Sequence, residues 1–92
     1  MASVDIEQVL SSLEETLAKV EHERWSHWQR YLHAKCVTNS DGSLTIPSNF
    51  AAKWSRQART SYADLSESEK QSDREQVQRY LPIIAEAVRA AS

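Results

Sequence analysis

Residues 6–31 read IEQVLSSLEETLAKVEHERWSHWQRY, and their apolar side chains recur at the spacing of an α-helix. The apolar positions are Ile6, Val9, Leu10, Leu13, Leu17, Val20, Trp28 and Tyr31. Side chains three or four residues apart share one face of a helix, so the pattern predicts a helix with one face toward a core. We expect it to cover residues 4–35, with Ser3 or Asp5 capping its start. Because about nine turns is long for a globular helix, we also expect a bend near residues 19–21.

The helical period breaks over residues 36–47. Residues 39–43 read NSDGS, a turn cluster that contains the one glycine of the chain. Its flanks favour extended backbone, so the segment predicts a loop or a small hairpin. Pro47 suits the first turn of a second helix.

A third helix has the clearest start. Ser66 and Glu69 fit a capping box, in which each side chain accepts a hydrogen bond from the other residue's backbone amide. The apolar stripe that follows is Val77, Leu81, Ile84 and Val88. Pro82 falls inside this stripe and lacks an amide, which predicts a kink or a restart of the helix.

These segments predict a mainly α fold in a single domain over residues 1–92. We expect three helices, with a long N-terminal helix whose residues 1–20 form an extension, and a short insert at 36–47. A chain of 92 residues has material for one core. Its net charge of −2 gives no basic excess, so we expect neither DNA nor RNA as a partner.

The single cysteine, Cys36, has no partner for an internal disulfide and cannot by itself build a metal site. No stretch reaches the roughly 18 apolar residues of a membrane span, and the N-terminus does not resemble a signal peptide. We therefore expect a cytoplasmic protein without metal, cofactor or membrane partner.

Residues 21–28, EHERWSHW, are the densest cluster of chemically versatile side chains. A zinc-protease helix needs two histidines four residues apart, whereas His22 and His27 are five apart, so zinc is not expected. Arg24 falls at the centre of the apolar stripe. A buried cation there requires an anion. Asp73 is the candidate for a structural pair, and an anionic ligand is the alternative.

Trp25 and His22 share an adjoining helix face, where Trp25 either packs in the core or stacks a planar ligand. We expect Trp28 and Trp54 in the core. Arg56 and Arg59, near Lys53, form a basic run before Tyr62 that is either a solvated face or a phosphate clamp. The chain has no glycine-rich phosphate loop, and no spacing singles out a nucleophile with its base, so we do not expect an enzyme.

Two blocks resemble the ryanodine-receptor-type domain family. Residues 21–25, EHERW, are similar to the family's His-Glu-x-Trp signature, and residues 62–74, YADLSESEKQSDR, are similar to the run that leads into its last helix. Together they cover under a quarter of the chain. Residues 36–61 lack the Gly-Trp-x-Tyr-Gly segment and the His-Pro pair that the family usually has there.

The resemblance implies a non-enzymatic helical module that binds a nucleotide or a nucleotide-derived signalling molecule, such as a sequestering protein of phage or bacterial origin. It nominates His22, Arg24 and Trp25, with Arg74 as an addition. The full predicted ligand set is His22, Arg24, Trp25, Arg56, Arg59, Tyr62 and Arg74. A homo-oligomer that shares the site is expected. The alternative is a helical protein–protein interaction or oligomerisation adaptor, because residues 4–20 have a coiled-coil-like pattern.

Overall fold

The computed structural model describes residues 5–92 of the chain. Its elements are α1 (Ile6–Ser12), α2 (Glu14–Lys35), β1 (Val37–Thr38), β2 (Leu44–Thr45), α3 (Ser48–Arg59), a 3₁₀ turn (Tyr62–Asp64) and α4 (Glu67–Ala91). The fold is mainly α, which confirms the predicted class, and it contains one small antiparallel strand pair. The described residues form four α-helices and not the predicted three, because the N-terminal helix is divided in two. None of the helices in residues 5–92 is both long and apolar enough to cross a bilayer.

The N-terminal helix is divided at Leu13. Asp5 caps its start by accepting a hydrogen bond from the Gln8 amide, as one of the two predicted caps; the other, Ser3, lies outside the described residues. α2 continues without a break through residues 19–21, and the bend expected there stays a prediction. The break comes earlier, where the Ser12 hydroxyl donates to the Val9 carbonyl and competes with the helix ladder. Leu13 is 6% exposed and is the one buried side chain of residues 5–92.

The insert is a small hairpin, one of the two alternatives that the sequence predicted. Val37 pairs with Thr45 and Thr38 with Leu44 in antiparallel register. Gly42 has a φ of 87°, a left-handed conformation that side chains disfavour. The Asp41 carboxylate accepts a hydrogen bond from the Ser43 amide and closes the turn.

The starts of α3 and α4 follow their sequence signals. Pro47 immediately precedes α3 and caps it, one position before the predicted first turn. The capping box of Ser66 and Glu69 is confirmed at the start of α4. The predicted restart at Pro82 is wrong, since α4 is continuous through it. A proline φ suits a helix, so one missing hydrogen bond does not end this one.

Helices α2 and α4 lie antiparallel. Glu23 is 3.1 Å from Arg79, and Trp28, farther along α2, shares a cleft with Asp73, which is earlier in α4. α1 also contacts α4. At the opposite end α3 joins the pair through Trp54, whose ring centroid is 5.7 Å from that of Trp28.

The molecule is flat and elongated, with extents of 63 × 34 × 16 Å. Its radius of gyration is 18.6 Å, whereas a compact domain of this length has one of about 12 Å. The prediction that Trp28 and Trp54 form a core is therefore only partly right. Trp54 is half-buried, and Trp28 is 40% exposed because the elements around it do not close over it.

Candidate functional site

A cleft of about 570 Å³ lies where α2, α3 and α4 meet, and we call it the central cleft. Its lining residues are Trp28, Lys53, Gln57, Ala58, Leu65, Ser68, Glu69, Ser72 and Asp73. The volume is in the range of small-molecule sites, which is about 300–1,000 Å³. An aromatic ring, an ammonium group, hydroxyls and carboxylates all border it, so the central cleft combines stacking with polar recognition.

Glu69 fixes one wall of the central cleft. Its carboxylate accepts hydrogen bonds from the Ser66 hydroxyl at 2.8 Å and from the Gln57 amide at 2.7 Å, and Arg56 lies 3.3 Å away. The Ser66 hydroxyl, followed by Gln57, lowers the pKa of Glu69 from 4.5 to about 2. These contacts join α3 to the first turn of α4, so Glu69 positions the site and has few lone pairs left for a ligand.

Trp28 forms the aromatic wall. Its ring is stacked on that of Tyr31 at 5.5 Å and meets Trp54 edge-on at 5.7 Å. Offset and edge-to-face aromatic contacts of this kind hold a ring in place. Trp28 remains 40% exposed and borders the central cleft.

Lys53 and Asp73 are the charged side chains of the central cleft besides Glu69, which is already paired with Arg56. Among residues 5–92, the ion pairs involve neither of these side chains. Lys53 can meet an anionic group, and the Asp73 carboxylate can accept hydrogen bonds from an amine or amide. The cleft therefore suits a planar molecule that carries both donors and negative charge.

Trp25 and His22 lie together on α2, outside the central cleft. Their ring centroids are 6.0 Å apart with an interplanar angle of 19°, and Trp25 is 55% exposed. The indole is thus not core, which resolves one of the two alternatives that the sequence left open. Its role in ligand stacking stays a prediction.

Arg24 pairs with Glu21, and the predicted Arg24–Asp73 pair is wrong. Glu21 is one turn away on the same helix, so it reaches the guanidinium without bridging two helices. Arg24 is also exposed and not buried in a stripe. Arg24, and then the Tyr80 hydroxyl, hold the pKa of Glu21 at about 2. The resulting cluster links α2 to α4.

Tyr62 and Arg74 meet at a second groove of about 310 Å³ on α4, with Val77 and Leu81 among its lining residues. Arg74 is held there by Glu67, at 3.2 Å. This groove is mostly apolar and lies apart from the His22–Trp25 pair.

The predicted ligand set is thus divided among three places. His22, Arg24 and Trp25 lie on α2, Tyr62 and Arg74 at the second groove, and Arg56 and Arg59 on α3, with Arg56 paired to Glu69. Neither cleft contains a residue of the first or third group.

Sequence reasoning did not include Gln57, Ser68, Glu69 or Ser72 in a candidate site, although all four line the central cleft. It assigned Trp28 to the core and Asp73 to an ion pair. One sequence signal could have indicated part of the cleft lining. Lys53 and Gln57 are four residues apart on α3, as are Glu69 and Asp73 on α4. Each pair therefore lies on one helix face.

No protein-family model, curated protein or solved structure matches this chain. Residues 5–92 contain no group of three or more His, Cys, Asp or Glu side chains placed to hold a metal ion. The function is therefore argued from the geometry of the clefts and from the exposed surface.

Proposed function

We propose that this chain is a small, non-enzymatic, cytoplasmic ligand-binding module whose central cleft holds a nucleotide-like molecule. The observation that carries the proposal is the placing of Trp28, Lys53 and Asp73 around one cleft. Trp28 stacks the base, Asp73 accepts a hydrogen bond from its amino group, and Lys53 neutralises phosphate. Stacking on an aromatic contributes about 1–3 kcal/mol per base.

Two sequence blocks resemble ryanodine-receptor-type domains, residues 21–25 and 62–74, and the second of them supports this proposal. Residues 62–74 supply five of the residues that line the central cleft, namely Leu65, Ser68, Glu69, Ser72 and Asp73. The other block, residues 21–25, ends one helical turn before Trp28. A ligand-binding member of that kind would act by holding its ligand away from other proteins.

Titration calorimetry against mono-, di- and cyclic nucleotides tests the proposal. We expect one class of nucleotide to bind, and Lys53→Ala to weaken that binding roughly tenfold, which is the loss of one exposed charge-assisted contact. Lys19→Ala removes a lysine from the exposed face of α2 and is the matched control.

The same titration separates the central cleft from the Trp25 face. If Trp25→Ala abolishes binding and Lys53→Ala does not, the ligand sits on the indole at position 25 and the cleft assignment is wrong. Absence of binding across the whole panel contradicts nucleotide recognition at either place.

A helical protein–protein adaptor is the second candidate function. The observation that favours it is the exposure of large apolar side chains along the helices, including Leu10 at 51% and Leu81 at 55%. Exposed apolar side chains are also found where a partner docks. Binding of a ligand in the central cleft and docking of a partner are compatible in one chain.

A further inference from the structure

The central cleft offers one free cation to a phosphate group. Among the residues that the structure describes, Lys53 is the one basic side chain that lines the cleft, and it forms no ion pair there. Arg56 lies nearby but is paired with Glu69 at 3.3 Å. A di- or triphosphate would therefore bring more negative charge than the cleft can neutralise, whereas a ligand with a single charge matches it.

The N-terminus of α4 does not supply further positive charge. The backbone amides and the dipole at such a helix end attract anions. Here Glu67 and Glu69 already occupy the first turn, and Ser66 and Glu69 satisfy each other's amides through the capping box. A phosphate at this end of α4 would meet two carboxylates, so Lys53 is the group that remains for it.

Asp73 restricts which base can bind. An ionised carboxylate only accepts hydrogen bonds, and it can accept two side by side. Guanine presents a ring N–H and an amino group next to each other on one edge, so one carboxylate accepts from both. Adenine and cytosine each present their amino group beside a ring nitrogen that is itself an acceptor and repels a carboxylate. The carboxylate of Asp73 therefore favours guanine.

Ser72 provides a group for the rest of the same edge. The carbonyl oxygen of guanine lies beside its ring N–H and accepts a hydrogen bond, which a serine hydroxyl can donate. Ser72 directly precedes Asp73 on α4, and both residues line the central cleft together with the exposed ring of Trp28 from α2. The cleft thus combines an acceptor, a donor and an aromatic surface, which is the set that a guanine base requires.

We propose that the central cleft selects a guanine nucleotide with a single negative charge, as in cyclic GMP. Trp28 stacks the base, Asp73 accepts from both N–H groups of its edge, and Lys53 meets the phosphate. This inference rests on the proposed function, because it names the class of nucleotide that the same site takes.

Titration calorimetry of the full chain with cyclic GMP and cyclic AMP tests the choice of base, because these two ligands differ in the base alone. We expect cyclic GMP to bind about tenfold more tightly or better, which is the discrimination that a bidentate base contact gives. Equal affinity for the two ligands would overturn the assignment of guanine.

GTP tests the charge of the ligand. It is titrated in magnesium-free buffer, so that no metal ion bridges its phosphates to the carboxylates of the cleft. We expect GTP to bind no more tightly than cyclic GMP, because Lys53 can neutralise only one of its charges. Tighter binding of GTP would overturn the assignment of a ligand with a single charge.

Asp73→Asn tests the contact itself, since it keeps the size of the side chain and removes its charge. It should weaken cyclic GMP roughly tenfold and leave cyclic AMP little changed. Asp73 is exposed, and an unchanged circular dichroism spectrum would show that the variant is folded. Glu75→Gln removes another exposed carboxylate of α4, outside both clefts, and is the matched control. An unchanged preference in Asp73→Asn would show that this carboxylate does not read the base.

The same measurements separate this inference from the proposed function. If cyclic AMP binds as tightly as cyclic GMP and Lys53→Ala weakens both, the central cleft holds nucleotides without selecting guanine. The proposed function then stands and the inference falls. If none of the three nucleotides binds, and the wider panel of nucleotides does not bind either, both are overturned.

Discussion

Glu69 is the residue on which the contact between α3 and α4 depends, and this makes stability sensitive to acid. Its pKa is lowered from 4.5 to about 2 by Ser66 and Gln57, so its contribution is complete above about pH 4.5 and is lost as the pH falls toward 2. We expect Glu69→Gln to flatten the fall of melting temperature between about pH 6 and about pH 2. Thermal melts followed by circular dichroism would measure this.

Glu21 provides a parallel acid-sensitive contact, with its pKa also lowered to about 2 by Arg24 and Tyr80. The Glu69→Gln variant should therefore keep part of the acid sensitivity, and adding Glu21→Gln should remove more. Glu75→Gln, on an exposed face of α4, is the control and should reproduce the wild-type profile. Profiles of Glu69→Gln and wild type that run parallel would contradict this account.

At the scale of single residues, what could be predicted is what depends on neighbours in sequence. The capping box of Ser66 and Glu69 was readable because its partners are three residues apart. Arg24 was misread because its helical position suggested burial against another helix. Glu21 lay within reach one turn away, and the open packing left the guanidinium in water.

At the scale of an element, Leu13 decides how α1 meets the rest of the chain. It ends α1, begins α2 and is the one buried side chain of residues 5–92. We expect Leu13→Ala to lower the free energy of unfolding by about 2–4 kcal/mol, the cost of a cavity where leucine was buried. Urea denaturation would measure it.

Leu10 offers the matched control, because it is a leucine of α1 that is 51% exposed. Leu10→Ala should cost under about 1 kcal/mol. Equal losses at both positions would show that α1 is covered on both faces in solution. The burial of Leu13 would then not be what distinguishes it.

The helix starts and the hairpin were predictable, but the interruption of the N-terminal helix was not. The apolar periodicity indicated the helices, and the turn sequence NSDGS indicated the hairpin, because each signal lies within the element that it predicts. The break at Leu13 depends on the local bond between Ser12 and Val9, which a helical apolar pattern hides. A kink or a restart was expected at Pro82, and α4 does not restart there, because one absent amide is tolerated in a helix of 25 residues.

At the scale of the whole molecule, the fold class could be predicted and the central cleft could not. Trp28, Lys53 and Asp73 come from three helices, and their meeting depends on how the hairpin and the 3₁₀ turn orient α3 and α4. No spacing within one helix encodes that arrangement. The sequence also did not show that apolar helix faces remain exposed. An apolar stripe has the same sequence pattern whether its partner is in the same chain or another.

The exposed apolar surface leads to a prediction about how the whole molecule unfolds. If a second copy covers part of the apolar surface that the helices expose, folding and association are one equilibrium, and the melting temperature rises with protein concentration. A tenfold increase adds about 1.4 kcal/mol per dimer, which corresponds to about 3–5 °C for a cooperative unit of this size. Scanning calorimetry over a hundredfold range, about 5 to 500 µM, would measure it.

The double variant Val77→Ala/Leu81→Ala provides the contrast, because both are exposed apolar side chains of α4. The quantity compared is the slope of melting temperature against concentration. Loss of association should lower its melting temperature and flatten that slope, because a chain that melts as a monomer has no concentration term. Glu75→Ala should keep the wild-type slope. A wild-type melting temperature that is constant over the whole range would mean that a single chain unfolds by itself. The surface that its helices expose would then not be covered by a second copy in the folded state.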